Sequence, residues 1–154
     1  MVEIIGVHDC KVDAKGRLML PAALKSQLDA VISEGFIIKR SIFQPCLELY
    51  PRSEWDNAVR GVNKLNRFVK KNTEFIRVFM AGVRVVELDN TGRLLVPKDL
   101  ATFASISKDI VLASALNMIE IWDKQKYESS IQESLTDFSQ LAEDVMGHIN
   151  DSGD

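Results

Sequence analysis

Two acid–cation pairs at the same spacing are the residues with the most chemistry to offer. Asp13-Ala14-Lys15-Gly16-Arg17-Leu18-Met19-Leu20-Pro21 returns as Asp89-Asn90-Thr91-Gly92-Arg93-Leu94-Leu95-Val96-Pro97, with Asp, Gly, Arg, an apolar triplet and Pro in register. Aspartate opening a type I turn accepts backbone N–H bonds, and glycine three residues on tolerates positive φ. Each copy therefore predicts a hairpin turn with a bulge at Gly16 and Gly92. Arg17 and Arg93 start the returning strands, and Asp13 and Asp89, four residues upstream, can each hold and orient a guanidinium. A planar cation at a hairpin tip suits bidentate contact with guanine O6 and N7, and Lys15 beside the first tip suits phosphate. In the plainer reading each Asp–Arg pair only closes its hairpin, and the residues alone leave both readings open.

A different chemistry has to be weighed for the same residues. Two aspartates on related halves of a β protein are the raw material of an aspartic-hydrolase dyad, which needs two carboxyls sharing one proton. An arginine four residues from each favours both charged forms, and glycine comes three residues on rather than two. No catalytic residue, metal ligand or cofactor site is expected. His8 and His148 have no evident partners, and Cys10 and Cys46 lack metal-ligand spacing and read as reduced thiols.

The elements that would position the turns repeat as well. Leu24 and Leu100 each follow the proline by three, and Leu47-Glu48-Leu49-Tyr50 is echoed by Ile119-Glu120-Ile121-Trp122, so the chain is an internal duplication. Each half predicts a hairpin, a short helix entered through its proline (22–27 and 98–103) and a second hairpin. Strands are expected over 2–12, 17–20, 35–40, 46–50, 83–88, 110–114 and 118–122. Each half has too few strands to bury a core alone, so the halves should pair.

Between the halves, Trp55, Val59 and Val62 recur at helical spacing from Ser53 onward. A second helix is expected over 72–80, with Phe75, Ile76 and Phe79 as its stripe. The basic residues of this stretch fit either a phosphate-binding face or a solvated surface. After Lys124 the composition turns acidic, and Ile131, Leu135, Phe138, Leu141, Val145 and Met146 predict one amphipathic helix that packs on the parent domain or a neighbouring subunit. The domain reading is thus 1–52 and 83–126 as repeated halves, 53–82 as a helical connector and 127–154 as an acidic helix and tail.

The 154 residues carry a net charge of −3, unevenly placed. Residues 1–93 hold 15 Lys+Arg against 11 Asp+Glu, a balance of +4, whereas 94–154 hold 4 against 11, a balance of −7. A basic first half can meet phosphate while the acidic end faces away from it; equally, the acidic end fits a solvated helix face and nothing more. No apolar run approaches the roughly 20 residues that span a bilayer, and the N-terminus has no basic-then-apolar leader, so a cytoplasmic chain without a membrane partner is expected.

The two turns, together with Cys46-Leu47-Glu48-Leu49-Tyr50-Pro51, Phe75 to Gly82, Glu87 to Arg93 and Ile119-Glu120-Ile121-Trp122-Asp123, resemble the MraZ family of bacterial transcriptional regulators, related in fold to AbrB-type swapped-hairpin DNA-binding domains. The resemblance covers nearly the whole chain. It implies a mixed α+β, β-rich fold: a duplicated AbrB-like swapped-hairpin β-barrel, a pseudo-dimer in one chain, with short helices and a C-terminal helix. It also implies a nucleoid-associated, ring-forming homo-oligomer that binds double-stranded promoter DNA at direct repeats upstream of the division and cell-wall operon, as a repressor of its own promoter. No small-molecule substrate is implied. Arg17, Lys15 and Arg93 become the expected DNA contacts. Thr91 stands where the first motif has Lys15, so the second site carries less charge. The alternative is an antitoxin-like or scaffold module that grips another protein with its acidic tail.

Overall fold

The computed structural model describes residues 2–151, without the side chains of 148, 150 and 151. The expectations for His148 and for the last residues of the tail therefore lie outside the described residues. Two compact units are present, 1–124 and 125–154.

In the first unit the strands are β1 (Val7–Lys11), β2 (Arg17–Met19), β3 (Phe36–Arg40), β4 (Leu47–Pro51), β5 (Arg84–Val86), β6 (Arg93–Leu95), β7 (Asp109–Ala115) and β8 (Met118–Asp123). Its helices are α1 (Ala22–Gln27), α2 (Arg52–Asn63), α3 (Lys70–Phe79) and α4 (Lys98–Phe103). The second unit holds α5 (Lys124–Leu135), which begins at the junction, and α6 (Phe138–Asp151). The order strand, strand, helix, strand, strand, helix, helix thus occurs twice.

Pairing runs across the repeat. A six-stranded antiparallel sheet has the order β1-β7-β8-β4-β3-β5, and β2 pairs with β6 in a separate two-stranded ribbon. Exchanging the halves leaves both orders unchanged. β1 finds its ladder on β7 and β5 on β3, so each half lends a strand to the other half's hairpin. Among the described residues the strands of the expected swapped-hairpin β-barrel do not close into one sheet. β1 and β5 end the larger sheet, and one bridge, Val12 to Leu18, is what joins β1 to the ribbon. Three-residue strands supply too few ladder bonds to carry the sheet round on itself.

Local chemistry explains where elements start and stop. Pro21, Pro51 and Pro97 stand immediately before α1, α2 and α4 with φ near −55°, giving up a donor that the helix start leaves free anyway. The first strand is shorter than expected because the Gln27 side-chain amide takes both backbone groups of Ile5, at 2.8 and 2.9 Å, and removes them from a ladder. The single C-terminal helix is in fact two. Thr136 and Asp137 separate α5 from α6, and the Thr136 hydroxyl donates back to the Gln132 carbonyl at 3.3 Å. The expected stripe is therefore divided, with Ile131 and Leu135 on α5 and the rest on α6.

The core lies between the ribbon, α1, α4 and one face of the sheet, in matched pairs: Leu18 with Leu94, Leu20 with Val96, Leu24 with Leu100, Leu47 with Ile119 and Leu49 with Ile121. Across the sheet, Ile37, Tyr50 and Trp55 form a smaller cluster that Phe79 of α3 joins by stacking on Trp55 at 5.9 Å. Lys39 is buried beneath it, paired with Glu48 and 4.6 Å from the centre of the Phe79 ring. Burial pushes the Lys39 ammonium down in pKa, against the pull of Glu48. Both cysteines are free thiols, and burial pushes that of Cys46 up to about 12.

Candidate nucleic-acid interface

The two motif turns are built the same way, bond for bond. In the first, Asp13 N–H donates to the Arg17 carbonyl at 2.8 Å and Gly16 N–H to the Asp13 carbonyl at 3.0 Å. In the second, Asp89 N–H donates to the Arg93 carbonyl at 2.9 Å and Gly92 N–H to the Asp89 carbonyl at 3.0 Å. Gly16 and Gly92 take φ of +86° and +82°, a region that side chains with a Cβ avoid, so glycine is needed at both bulges. Asp13 Oδ1 accepts the N–H groups of Lys15 and Arg17, each at 2.9 Å. Asp89 Oδ1 accepts those of Thr91 and Arg93, each at 2.9 Å, and the Thr91 hydroxyl at 2.8 Å.

The other carboxylate oxygen clamps the cation. Arg17 Nε meets Asp13 Oδ2 at 2.9 Å and Arg93 Nε meets Asp89 Oδ2 at 3.1 Å. Among the described residues neither guanidinium's terminal nitrogens have a protein partner, so the end-on fork is available for an incoming acceptor. Neither arginine is sealed inside the fold: their side chains are 28% and 32% exposed.

The ribbon sets the two clamps on one face. Arg17 is opposite Leu95, Met19 is opposite Arg93, and Leu18 is opposite Leu94. Alternation along a strand turns both leucines into the core and turns Arg17, Met19, Arg93 and Leu95 outward. Met19 and Leu95 are each about half exposed, so the cations sit diagonally on a face with an apolar centre. The ends of the ribbon interlock: Val96 N–H donates to the Gly16 carbonyl at 2.9 Å and Leu20 N–H to the Gly92 carbonyl at 3.2 Å.

Each turn also borrows a lysine from the opposite half. Lys15 and Gly16 share a cleft of about 610 Å³ with Pro97 and Lys98. At the second turn, a methyl group placed on Gly92 would come within 3.2 Å of Lys25 Nζ. Lys25 escaped the reading of the sequence, in which Thr91 left the second site short of charge. Its partner position in the repeat is Ala101, so the motif gives no sign of it, and it reaches the second turn only across the interlocked halves.

The aspartates stand at opposite ends of an antiparallel ribbon, each engaged with its own arginine. No proton-sharing dyad is formed. The backbone N–H of Arg17 is the main cause that holds the Asp13 carboxyl below the ordinary carboxylate range. For Asp89 the Arg93 N–H comes first and the Thr91 hydroxyl second, and the depression is deeper. A depressed carboxyl contributes stability that is present above its unfolded pKa and lost as pH falls through its folded pKa. Both clamps should therefore outlast the ordinary titration range of aspartate on acidification, with that of Asp89 the last to open. Carboxyl carbon shifts followed by NMR test this, and midpoints near pH 4 for either residue would show that it is not held as described.

These features define a tandem-repeat α+β protein whose halves share their sheets and present two carboxylate-clamped arginines on a common ribbon. The profile of the family described as "MraZ protein, putative antitoxin-like" matches twice, at residues 4–78 and 79–148. The transcriptional regulator MraZ of Flavobacterium psychrophilum is 63% identical over 151 residues, covering 98% of this chain and 96% of that protein. That of Christiangramia forsetii is 58% identical over 153 residues, covering 99% of each, and that of Cytophaga hutchinsonii is 39% identical over 138 residues, covering 90% and 91%. The chain belongs to the MraZ family. Its relatives are named as regulators of transcription rather than as enzymes, and no helix among the described residues is long and apolar enough to cross a membrane.

Proposed function

We propose that this chain is a sequence-specific DNA-binding regulator that reads promoter direct repeats through Arg17 and Arg93, with Lys15 and Lys25 on the flanking phosphates. The observation that carries the reading is the shared ribbon face, where two clamped guanidiniums stand either side of Met19 and Leu95. Asp13 and Asp89 fix rotamers that free arginines would sample, so the entropy of ordering the readout groups is met during folding. Gly16 and Gly92 supply the turn geometry that this requires. The cross-half pairing of β1 with β7 and β5 with β3 supports a swapped-hairpin pseudo-dimer as the scaffold, with 53–82 and 127–154 as its helical appendages.

One ribbon offers few base contacts and binds weakly alone. Copies arranged in a ring engage successive repeats, and linked weak contacts gain affinity without new chemistry. The target that fits the family is the direct-repeat region upstream of the division and cell-wall operon, where occupancy represses the protein's own promoter. Its place is then the cytoplasm, at the nucleoid.

A nuclease footprint of the full-length protein on that upstream DNA tests the reading: protected patches should recur at the repeat interval. Protection without periodicity, or on unrelated DNA equally, would overturn it. Affinity should also fall steeply with salt, by a slope of about −0.9 per phosphate neutralised, and Lys25→Ala should flatten it by about that amount for each engaged subunit. An unchanged slope would take Lys25 off the phosphate backbone.

A further inference from the structure

The ribbon face carries more than cations. Met19 and Leu95 leave the same two strands on the same side, and each is slightly more than half exposed. Leu95 is opposite Arg17 and Met19 is opposite Arg93, so each arginine has an apolar neighbour from the other half directly across the ladder. The same two side chains lean on the turns. A methyl group placed on Gly16 would lie 3.7 Å from Leu95 Cδ1, and one placed on Gly92 would lie 3.7 Å from Met19 Sδ. Each fingertip is therefore composite: a guanidinium clamped by its own turn, and an apolar side chain lent by the opposite half.

That combination has a counterpart on a DNA duplex. The major groove, about 12 Å wide, admits a two-stranded ribbon, and among the hydrogen-bonding groups on its base edges it presents one protruding apolar group, the 5-methyl of thymine. Phosphate gives an exposed methionine or leucine nothing to cover, whereas a methyl group removes apolar surface from water on both sides. The spacing also fits. Residues directly opposite on a ladder have Cα atoms about 5 Å apart, and residues two apart on a strand are separated by about 7 Å. Base pairs stack about 3.4 Å apart, so both spans fall within about two base steps.

We infer that Met19 and Leu95 are specificity-determining residues for thymine, each covering the 5-methyl group of a thymine within about two base pairs of the guanine held by the arginine across the ladder. This rests on the ribbon being the DNA-reading face, as proposed above, and names what that face recognises besides guanine. Lys15 and Lys25 add no such information, because phosphates are alike at every position.

Deoxyuridine differs from thymine only by that methyl group, so the first test needs no altered protein. In a duplex spanning one repeat of the upstream DNA, each thymine is replaced in turn by deoxyuridine, and binding of the full-length chain is followed by fluorescence anisotropy. One or two positions should each cost about fourfold in affinity, the worth of one buried methyl-sized group, and the others nothing. Met19→Ala and Leu95→Ala remove the protein's side of the contact at exposed positions. Each variant should bind the thymine duplex about fourfold more weakly and be indifferent to deoxyuridine at one of the positions that wild type senses. Wild-type binding that ignores deoxyuridine everywhere overturns the inference. So do variants that keep the full sensitivity, since the methyl would then act through the shape of the duplex. Arg17→Ala separates this failure from that of the underlying reading. If it weakens binding while deoxyuridine does not, the ribbon engages DNA without sensing methyl groups; if it binds as wild type does, both readings fall.

Discussion

Arg17→Ala is expected to abolish specific promoter binding while leaving the melting temperature and the assembly as they are. Each good bidentate arginine–guanine contact is worth about 1–3 kcal/mol of discrimination, or roughly 5- to 150-fold in affinity at one site. In a multivalent assembly the loss recurs at every engaged subunit, so the drop on a full set of repeats should exceed that on a single repeat. The fold does not need the guanidinium. The turn is held by the Asp13 carboxylate on backbone N–H groups and by Gly16 N–H on the Asp13 carbonyl. Arg17→Lys should not rescue, since an ammonium keeps the charge but lacks the planar fork. Arg93→Ala should follow the same pattern. Electrophoretic shift assays on one and on several repeats, alongside thermal melts, check this. Binding of the Arg17→Ala chain at wild-type affinity would remove the ribbon from the readout.

What could be read without coordinates followed from how local each feature's cause is. The clamped turns are closed within five residues by an aspartate side chain and a glycine, and the sequence alone names both. The short helices over 22–27 and 98–103 have the same origin and have the expected ends. Features that depend on the other half were not legible. Lys25 serves a turn more than sixty residues away, and the open sheet replaces the expected barrel because strand length along the ribbon, not residue pattern, limits closure. The break between α5 and α6 was hidden for another reason. The apolar residues keep their helical spacing through Thr136 and Asp137, so periodicity carries no trace of the interruption.

The fit of the ribbon to the core leads to the largest expected stability effect. Leu18 and Leu94 face each other across the two strands, both fully buried, directly beneath the face that carries the arginines. Truncating either to alanine leaves a cavity among side chains drawn from both halves, which cannot collapse without separating the ladder. The expected cost is about 2–5 kcal/mol, or roughly 4–20 °C in melting temperature for a chain of this size. Against a typical total of about 5–15 kcal/mol this is a large share. The two losses should not add, because the residues share one cavity, and a double-mutant cycle on chemical denaturation measures the coupling. Leu94→Ala and Arg17→Ala should thus separate cleanly: the first lowers the melt and weakens DNA binding only as the ribbon loosens, the second removes DNA binding from a chain of unchanged stability. If Leu94→Ala melted with wild type, the ribbon would not be anchored through its leucines, and its arginines would have no fixed floor from which to address a base edge.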